Sequence, residues 1–279
     1  GSTRVGKIVM RAASENLVPV TLELGGKSPA IVGPDFSPRV AAERIMAGKT
    51  FNAGQTCIAP DYVMVPEAAR DAFVEACKTA VAKLYPTIEK NPDYTSIING
   101  NHYARLHGYI DDAKARGANI VEINPTGQPL DPSARKVAPT LVLGAANDML
   151  CMQEEIFGPV LPIITYTRLD EAIAYVNDHP RPLALYYFGH SRADTDRVLA
   201  ETVSGGVTVN DTMLHFAQED LPFGGVGPSG MGHYHSREGF EAFSKKKPVF
   251  RQSRLNSASL LRPPFGKLAD RVLAVLLGH

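Results

Sequence analysis

The 279-residue sequence has only three cysteines, Cys57, Cys77 and Cys151, with no CxxC spacing among them. So sparse and odd a set supports neither a disulfide framework nor a zinc site, and a reducing, cytoplasmic setting is expected. Charge of neither sign is in surplus, since 29 Lys and Arg balance 29 Asp and Glu. That balance argues against nucleic acid as a partner and against an acidic disordered tail. No run reaches the roughly 18 to 20 apolar residues that span a bilayer, and the start carries no signal peptide. An initiator Met is also missing. The chain opens on Gly1-Ser2-Thr3 and passes straight into a helical pattern, which reads either as a cloning scar or as a cut from a longer protein. What remains is an ordinary composition, 44% hydrophobic and 21% charged, long enough for one large α/β domain or two smaller ones.

Helix-period and strand-period segments alternate along most of the chain, which places it in the α/β class. Val5 to Asn16 reads as a helix with Val5, Ile8, Val9 and Ala12 on one face. Pro19 breaks it, and Val20 to Leu24 reads as a strand. Further strands are expected at 30–32, 62–65, 120–123, 160–166, 183–188 and 206–210. Helices are expected at 38–50, 67–84, 102–116, 169–178 and 194–202. The polar, Pro-rich segment 125–135 reads as a surface loop. Pro222 to Gly232 contains five glycines, a density that predicts no regular structure. After an irregular stretch from Arg251 to Pro264, residues 268–277 show an amphipathic helix, read as a packing or subunit-contact helix and not a membrane anchor. Lys245-Lys246-Lys247 reads as a solvated face.

Two segments carry candidate chemistry. In Thr21-Leu22-Glu23-Leu24-Gly25-Gly26-Lys27 a carboxylate stands at the end of an apolar strand, just before two glycines. A carboxyl group partly removed from water there can take a proton from water near neutral pH, although a strand-end charge facing solvent is the commoner case. In Phe51-Asn52-Ala53-Gly54-Gln55-Thr56-Cys57 a thiol follows a helix in a Gly-Gln-Thr turn. Backbone N–H groups converging on such a sulfur would lower its pKa and later hold an oxyanion; a buried, inert cysteine is the bland alternative, and the one assigned to Cys77 and Cys151. Lys27, beside two glycines, suits bonding to backbone carbonyls. His233 and His235 alternate in a Gly-rich loop without a carboxylate or thiol at ligand spacing, so no metal is expected.

Taken together, the segments Glu23–Lys27, Phe51–Cys57, Glu154-Glu155-Ile156-Phe157-Gly158-Pro159-Val160 and Pro222-Phe223-Gly224-Gly225 resemble the aldehyde dehydrogenase superfamily in order and spacing, over essentially the whole chain. Gly227 to Gly232, with Tyr234-His235 and Phe243-Ser244, is similar to the class 3 branch, whose substrates are aromatic and medium-chain aldehydes. The tail, including Leu260-Leu261-Arg262-Pro263-Pro264, is most similar to bacterial coniferyl aldehyde dehydrogenases.

The resemblance implies a catalytic domain built on a parallel sheet flanked by helices, with the remnant of a Rossmann-like cofactor domain. Residues 1–25 would end the NAD(P)-binding domain, 26–222 form the catalytic domain, and 223–279 supply the Gly-rich loop and return arm. Cys57 would match the nucleophile and Glu23 the base for thioester hydrolysis. Glu155 would match the carboxylate that holds the nicotinamide ribose, and Phe157 the ring beside it. Gly1, Ser2 and Gly6 would match the start of the helix beneath the pyrophosphate, and Leu24 and Gly25 complete the expected cofactor contacts. NAD is the implied cofactor, with NADP possible, an aldehyde the substrate, and a homodimer the full-length assembly. The family carries a long segment before this point, so a fragment, inactive alone, is expected. The rival readings are a cysteine-dependent ester or thioester hydrolase, against which a ribose-holding Glu155 argues, and an inert, association-only fragment.

Overall fold

The computed structural model describes residues 1–256, 258 and 262–278. Residues Gly1–Phe243 form one compact unit, and the residues from Ser244 onward form a second.

The first unit opens with α1 (Thr3–Ser14), capped by the Ser2 hydroxyl, which accepts a bond from the Val5 N–H at 3.4 Å. Its apolar residues Val5, Ile8 and Val9 remain exposed. The chain continues through β1 (Leu22–Glu23), β2 (Pro29–Val32), α2 (Pro38–Thr50), β3 (Tyr62–Pro66), α3 (Arg70–Leu84) and α4 (Gly100–Ala115). There follow β4 (Asn119–Glu122), β5 (Thr140–Leu143), α5 (Leu150–Gln153), β6 (Val160–Tyr166), α6 (Leu169–Asn177) and β7 (Ala184–Phe188). It ends with α7 (Arg192–Glu201), β8 (Gly206–Val209), β9 (Gly230–Met231) and α8 (Ser236–Ala242).

Seven strands make one sheet in the order β4-β5-β6-β3-β2-β7-β8. Every neighbouring pair is parallel except β4 with β5. Alternate side chains feed two separate cores. From β2 and β3, Ile31, Tyr62 and Met64 join one core with Leu106 of α4 and Ile173 of α6. Ala30, Val32, Val63 and Val65 join the other with Ile45 of α2 and Phe73 of α3. With apolar side chains buried on both faces, the inner strands read as near-continuous hydrophobic runs, as a parallel sheet covered by helices requires. The expected α/β sheet flanked by helices is therefore present.

Three expectations need correction. The strand over 20–24 shrinks to Leu22–Glu23, because its partner among the described residues is the equally short Gly230–Met231, paired antiparallel. That pairing also overturns the expectation that Pro222 to Gly232 has no regular structure. β5 and the single turn α5 were not expected, their segments being too short for a clear period.

The second unit contains α9 (Lys267–Leu277), closed by Gly278 at φ 73°, a left-handed cap that suits glycine. Leu260 and Leu261, part of the tail carrying the coniferyl-type resemblance, lie outside the described residues.

Candidate active site

Cys57 lies in the connection from α2 to β3, and its position is made by backbone geometry. As the chain leaves α2, Asn52, Ala53 and Gly54 all adopt left-handed conformations, with φ of 51°, 52° and 74°. For alanine this costs about 1 kcal/mol or more, so the surroundings must enforce it. Asn52 Nδ2 donates to the Gln55 carbonyl at 3.2 Å, and Gln55 Nε2 donates back to the Asn52 carbonyl at 3.1 Å. Gln55 also reaches the Ser96 carbonyl and accepts from the Ile98 N–H. On the far side of the thiol, the Tyr186 hydroxyl of β7 donates to the Ile58 carbonyl. Cys57 is half-buried, whereas Cys77 and Cys151 are buried.

Glu23 enters from β1. It is half-buried, its Oε1 has no hydrogen-bond partner, and its carboxylate stands against the Cys57 thiol. The next turn brings Gly25 beneath Glu155. A Cβ on Gly25 would fall 1.8 Å from Glu155 Oε2, so this close approach requires glycine. The Gly26 N–H bonds to the same carboxylate.

Electrostatics overturn one expectation. Burial, then the Glu23 charge and its hydrogen bond, then Glu155, push the Cys57 thiol up to about 12; the thiol's own backbone N–H opposes them weakly. The turn was expected to lower this value, but two carboxylates and desolvation outweigh its N–H groups. Burial and Asp61 likewise raise Glu155 from 4.5 to about 7, against Gly26, Lys27 and the N-terminal ammonium.

One groove of about 720 Å³ is lined by Cys57, Glu23, Glu155, Phe157, Gly1, Ser2 and Gly25. A second cavity, of about 820 Å³, shares Ser2, Gly25 and Glu155 and runs past Thr3, Arg4 and Lys7 at the start of α1. Leu24 and Gly6 line neither. They meet each other instead: Leu24 is buried, and a Cβ on Gly6 would stand 2.8 Å from its Cδ1. The site gathers before β2, β3 and β6, at the amino ends of the strands, whereas doubly wound sheets collect ligands at the carboxyl ends.

Sequence reasoning missed Gln55, Thr56, His102, Arg105 and Glu154 in the groove wall, and Asp61 and Lys49 behind it. Lys49 is fully buried within α2; burial pulls its pKa down to about 8, against the pull of Asp61 and Glu155. Lys27 does bond backbone carbonyls, those of Cys151 and Glu154, but it also pairs with the buried Asp61. The one signal for Asp61 was an acidic residue opening an apolar strand. His233 Nε2 pairs with Glu238 at 3.0 Å, a carboxylate partner that was not expected, and His235 stacks on Phe223. Among the described residues, no group of three or more His, Cys, Asp or Glu side chains could hold a metal. Nor is any described helix long and apolar enough to cross a membrane.

Comparison with known proteins follows the same lines. The sequence profile of the aldehyde dehydrogenase family matches residues 1–249. A probable coniferyl aldehyde dehydrogenase of Pseudomonas aeruginosa is 57% identical over 273 residues, covering 98% of this chain and 56% of that protein. The substrate-bound structure of Staphylococcus aureus AldH superposes with a TM-score of 0.91 at 45% identity, over 99% of this chain and 59% of its own. An indole-3-acetaldehyde dehydrogenase complexed with NAD+ does so with a TM-score of 0.79 at 30% identity, over 88% of this chain and 50% of its own. The chain thus spans about half the length of the curated relatives it matches.

Proposed function

This chain belongs to the aldehyde dehydrogenase family, and from that premise we propose that it carries the thiol and carboxylate machinery for oxidising an aldehyde to its acid with NAD, or NADP, as hydride acceptor. The observation that carries the reading is the convergence of Cys57, Glu23, Glu155 and Phe157 on one groove. Residues 1–25 close the cofactor-binding part, 26–222 form the catalytic part and 223–279 the loop and arm. Glu155 would hold the ribose. The fit is supported by the Gly25 backbone, left bare where a Cβ would collide with Glu155, and by the first turn of α1. That turn carries no acidic residue, so its free N–H groups suit a pyrophosphate. Gly1 and Ser2 lie at that start; Gly6 and Leu24 serve by packing α1 on the site.

The reaction begins when Cys57 gives its proton to solvent and its sulfur attacks the carbonyl carbon, giving a thiohemiacetal whose oxyanion is met by the Cys57 N–H. The chemistry that NAD or NADP would supply when bound is acceptance of the hydride from that carbon. The product on Cys57 is a thioester. Glu23 then takes a proton from water, the resulting hydroxide adds to the thioester carbon, and the acid departs as sulfur regains its proton. Burial and Glu23 both oppose the first deprotonation, which keeps the resting thiol protonated.

Aromatic aldehydes of the coniferyl type, or medium-chain ones, are the proposed substrates; the names of two relatives, both coniferyl aldehyde dehydrogenases, support the first. A cytoplasmic setting accords with three free cysteines, and a homodimer is the proposed assembly of the full-length enzyme. Stopped-flow kinetics of Glu23→Gln in the full-length enzyme test the scheme: a burst of NADH followed by slow turnover is expected, while equal loss of both phases would remove Glu23 from the hydrolytic step.

A further inference from the structure

The segment that carries Glu155 belongs to no helix or strand, running free between α5 and β6. Its backbone polar groups therefore need partners from elsewhere, and they find charged ones on both sides. From one side Lys27 Nζ donates to the carbonyls of Cys151 at 2.7 Å and Glu154 at 3.0 Å. Lys27 is paired with Asp61, whose Oδ1 accepts from the Ile156 N–H at 2.9 Å. From α4, Arg105 donates to the carbonyls of Glu155 at 3.1 Å and Ile156 at 2.8 Å. Each carbonyl from Glu154 to Ile156 is thus held by a cation, and charge-assisted bonds of this kind are stronger than neutral ones.

The consequence lies at the Glu155 carboxylate. It rests on Gly25 and Gly26 so closely that even a Cβ on Gly25 would stand 1.8 Å from it. A small shift of the segment would drive the carboxylate into that backbone or lift it off. We infer that Lys27, Asp61 and Arg105 are positioning residues, a clamp that holds residues 154–156 from two sides and fixes the Glu155 carboxylate for the cofactor's ribose. This rests on the proposed role of Glu155.

The test has two readouts. Calorimetry with NAD, together with steady-state kinetics, compares Glu155→Gln, Arg105→Met, Arg105→Lys and Asp61→Asn in the full-length enzyme. Hydrogen exchange of the Glu154–Phe157 amides is followed without cofactor. Arg105→Met and Asp61→Asn are expected to weaken NAD binding about tenfold, the usual effect of removing an orienting partner behind a binding group. The rise in KM for NAD should exceed any fall in kcat, and Arg105→Lys should recover part of the loss. Combining Arg105→Met with Glu155→Gln should weaken binding no further than Glu155→Gln alone. Should Asp61→Asn fail to fold, Arg105→Met carries the comparison, since Arg105 is only half-buried.

Unchanged NAD affinity in Arg105→Met, beside a weakened Glu155→Gln, overturns the inference; so does full additivity of the two. If Glu155→Gln itself leaves NAD binding unchanged, the role of Glu155 falls and the clamp is judged by exchange alone. Faster exchange at Ile156 in Arg105→Met then upholds it, and unchanged exchange removes it.

Discussion

The turn that carries Cys57 and the segment that carries Glu155 face one groove but are held by opposite means. At Cys57 the chain conformation does the placing: three successive left-handed residues, braced by neutral side-chain amides. At Glu155 the chain is irregular, and three charged side chains do the placing. A site built by backbone shape should fail when bulk is added, and one built by charge should respond to protons and to loss of charge.

The largest effect is expected at Gly54, where φ is 74° and a Cβ would stand 2.3 Å from the Gly158 carbonyl oxygen. Gly54→Ala should cost about 3 kcal/mol or more, since the atom it meets belongs to the backbone and not to a flexible side chain. Thermal unfolding would show it, and a drop of only a degree or two would mean that the turn is not rigid.

Next comes pH. The Glu155 carboxyl is raised from 4.5 to about 7, so the folded protein keeps a proton there that the unfolded chain gives up. The stability from this group is complete below about pH 4.5 and lost as pH rises through 7, at most about 3 kcal/mol. Glu155→Gln should therefore flatten the fall in melting temperature between pH 5 and 7.5. Parallel curves for parent and variant would contradict the assignment.

A smaller effect is expected at the thiol. With Cys57 pushed up to about 12, alkylation by iodoacetamide at pH 7.5 should be slower than for a free cysteine. Access, not acidity, should still make it the first of the three to label. Glu23→Gln removes a charge but leaves the burial, the larger cause, so peptide mass spectrometry should show labelling faster by about tenfold at most. No acceleration would separate the two groups.

The smallest effect is expected from Gly6→Ala. The contact at 2.8 Å is with a terminal methyl of Leu24, which can turn aside, and helix propensity improves by about 1 kcal/mol. The melting temperature should move by no more than about 3 °C; a larger loss would show Leu24 to be fixed.

The same contrast decides what could be read in advance. α2, expected and found at Pro38–Thr50, and β6, at Val160–Tyr166, have length and a clear apolar pattern. β5 is four residues after a Pro-rich loop, too short to declare a period. The thiol and the base stood out because their neighbours, glycine and an apolar strand, are unusual settings for them. Asp61 and Arg105 did not, because an aspartate before a strand and an arginine in a helix are ordinary until the fold brings segments 95 and 50 residues away onto them. The thiol's acidity was misjudged for the same reason: the carboxylates that set it are 34 and 98 residues distant in sequence.

The pairing of β1 with β9 has a consequence for how the molecule is made. Leu22 and Glu23 find their strand partners at Met231 and Gly230, and the Leu24 N–H bonds the Ser229 carbonyl at 3.0 Å. Loop closure over so long a span is slow, and chains emerge from the ribosome amino end first. A nascent chain stopped at Phe223 holds every residue of the Cys57 turn and of the sheet, yet Glu23 has nothing to pair with. The strand that pairs with Glu23 comes from the carboxyl-terminal loop, so the base is placed only once that loop is in position.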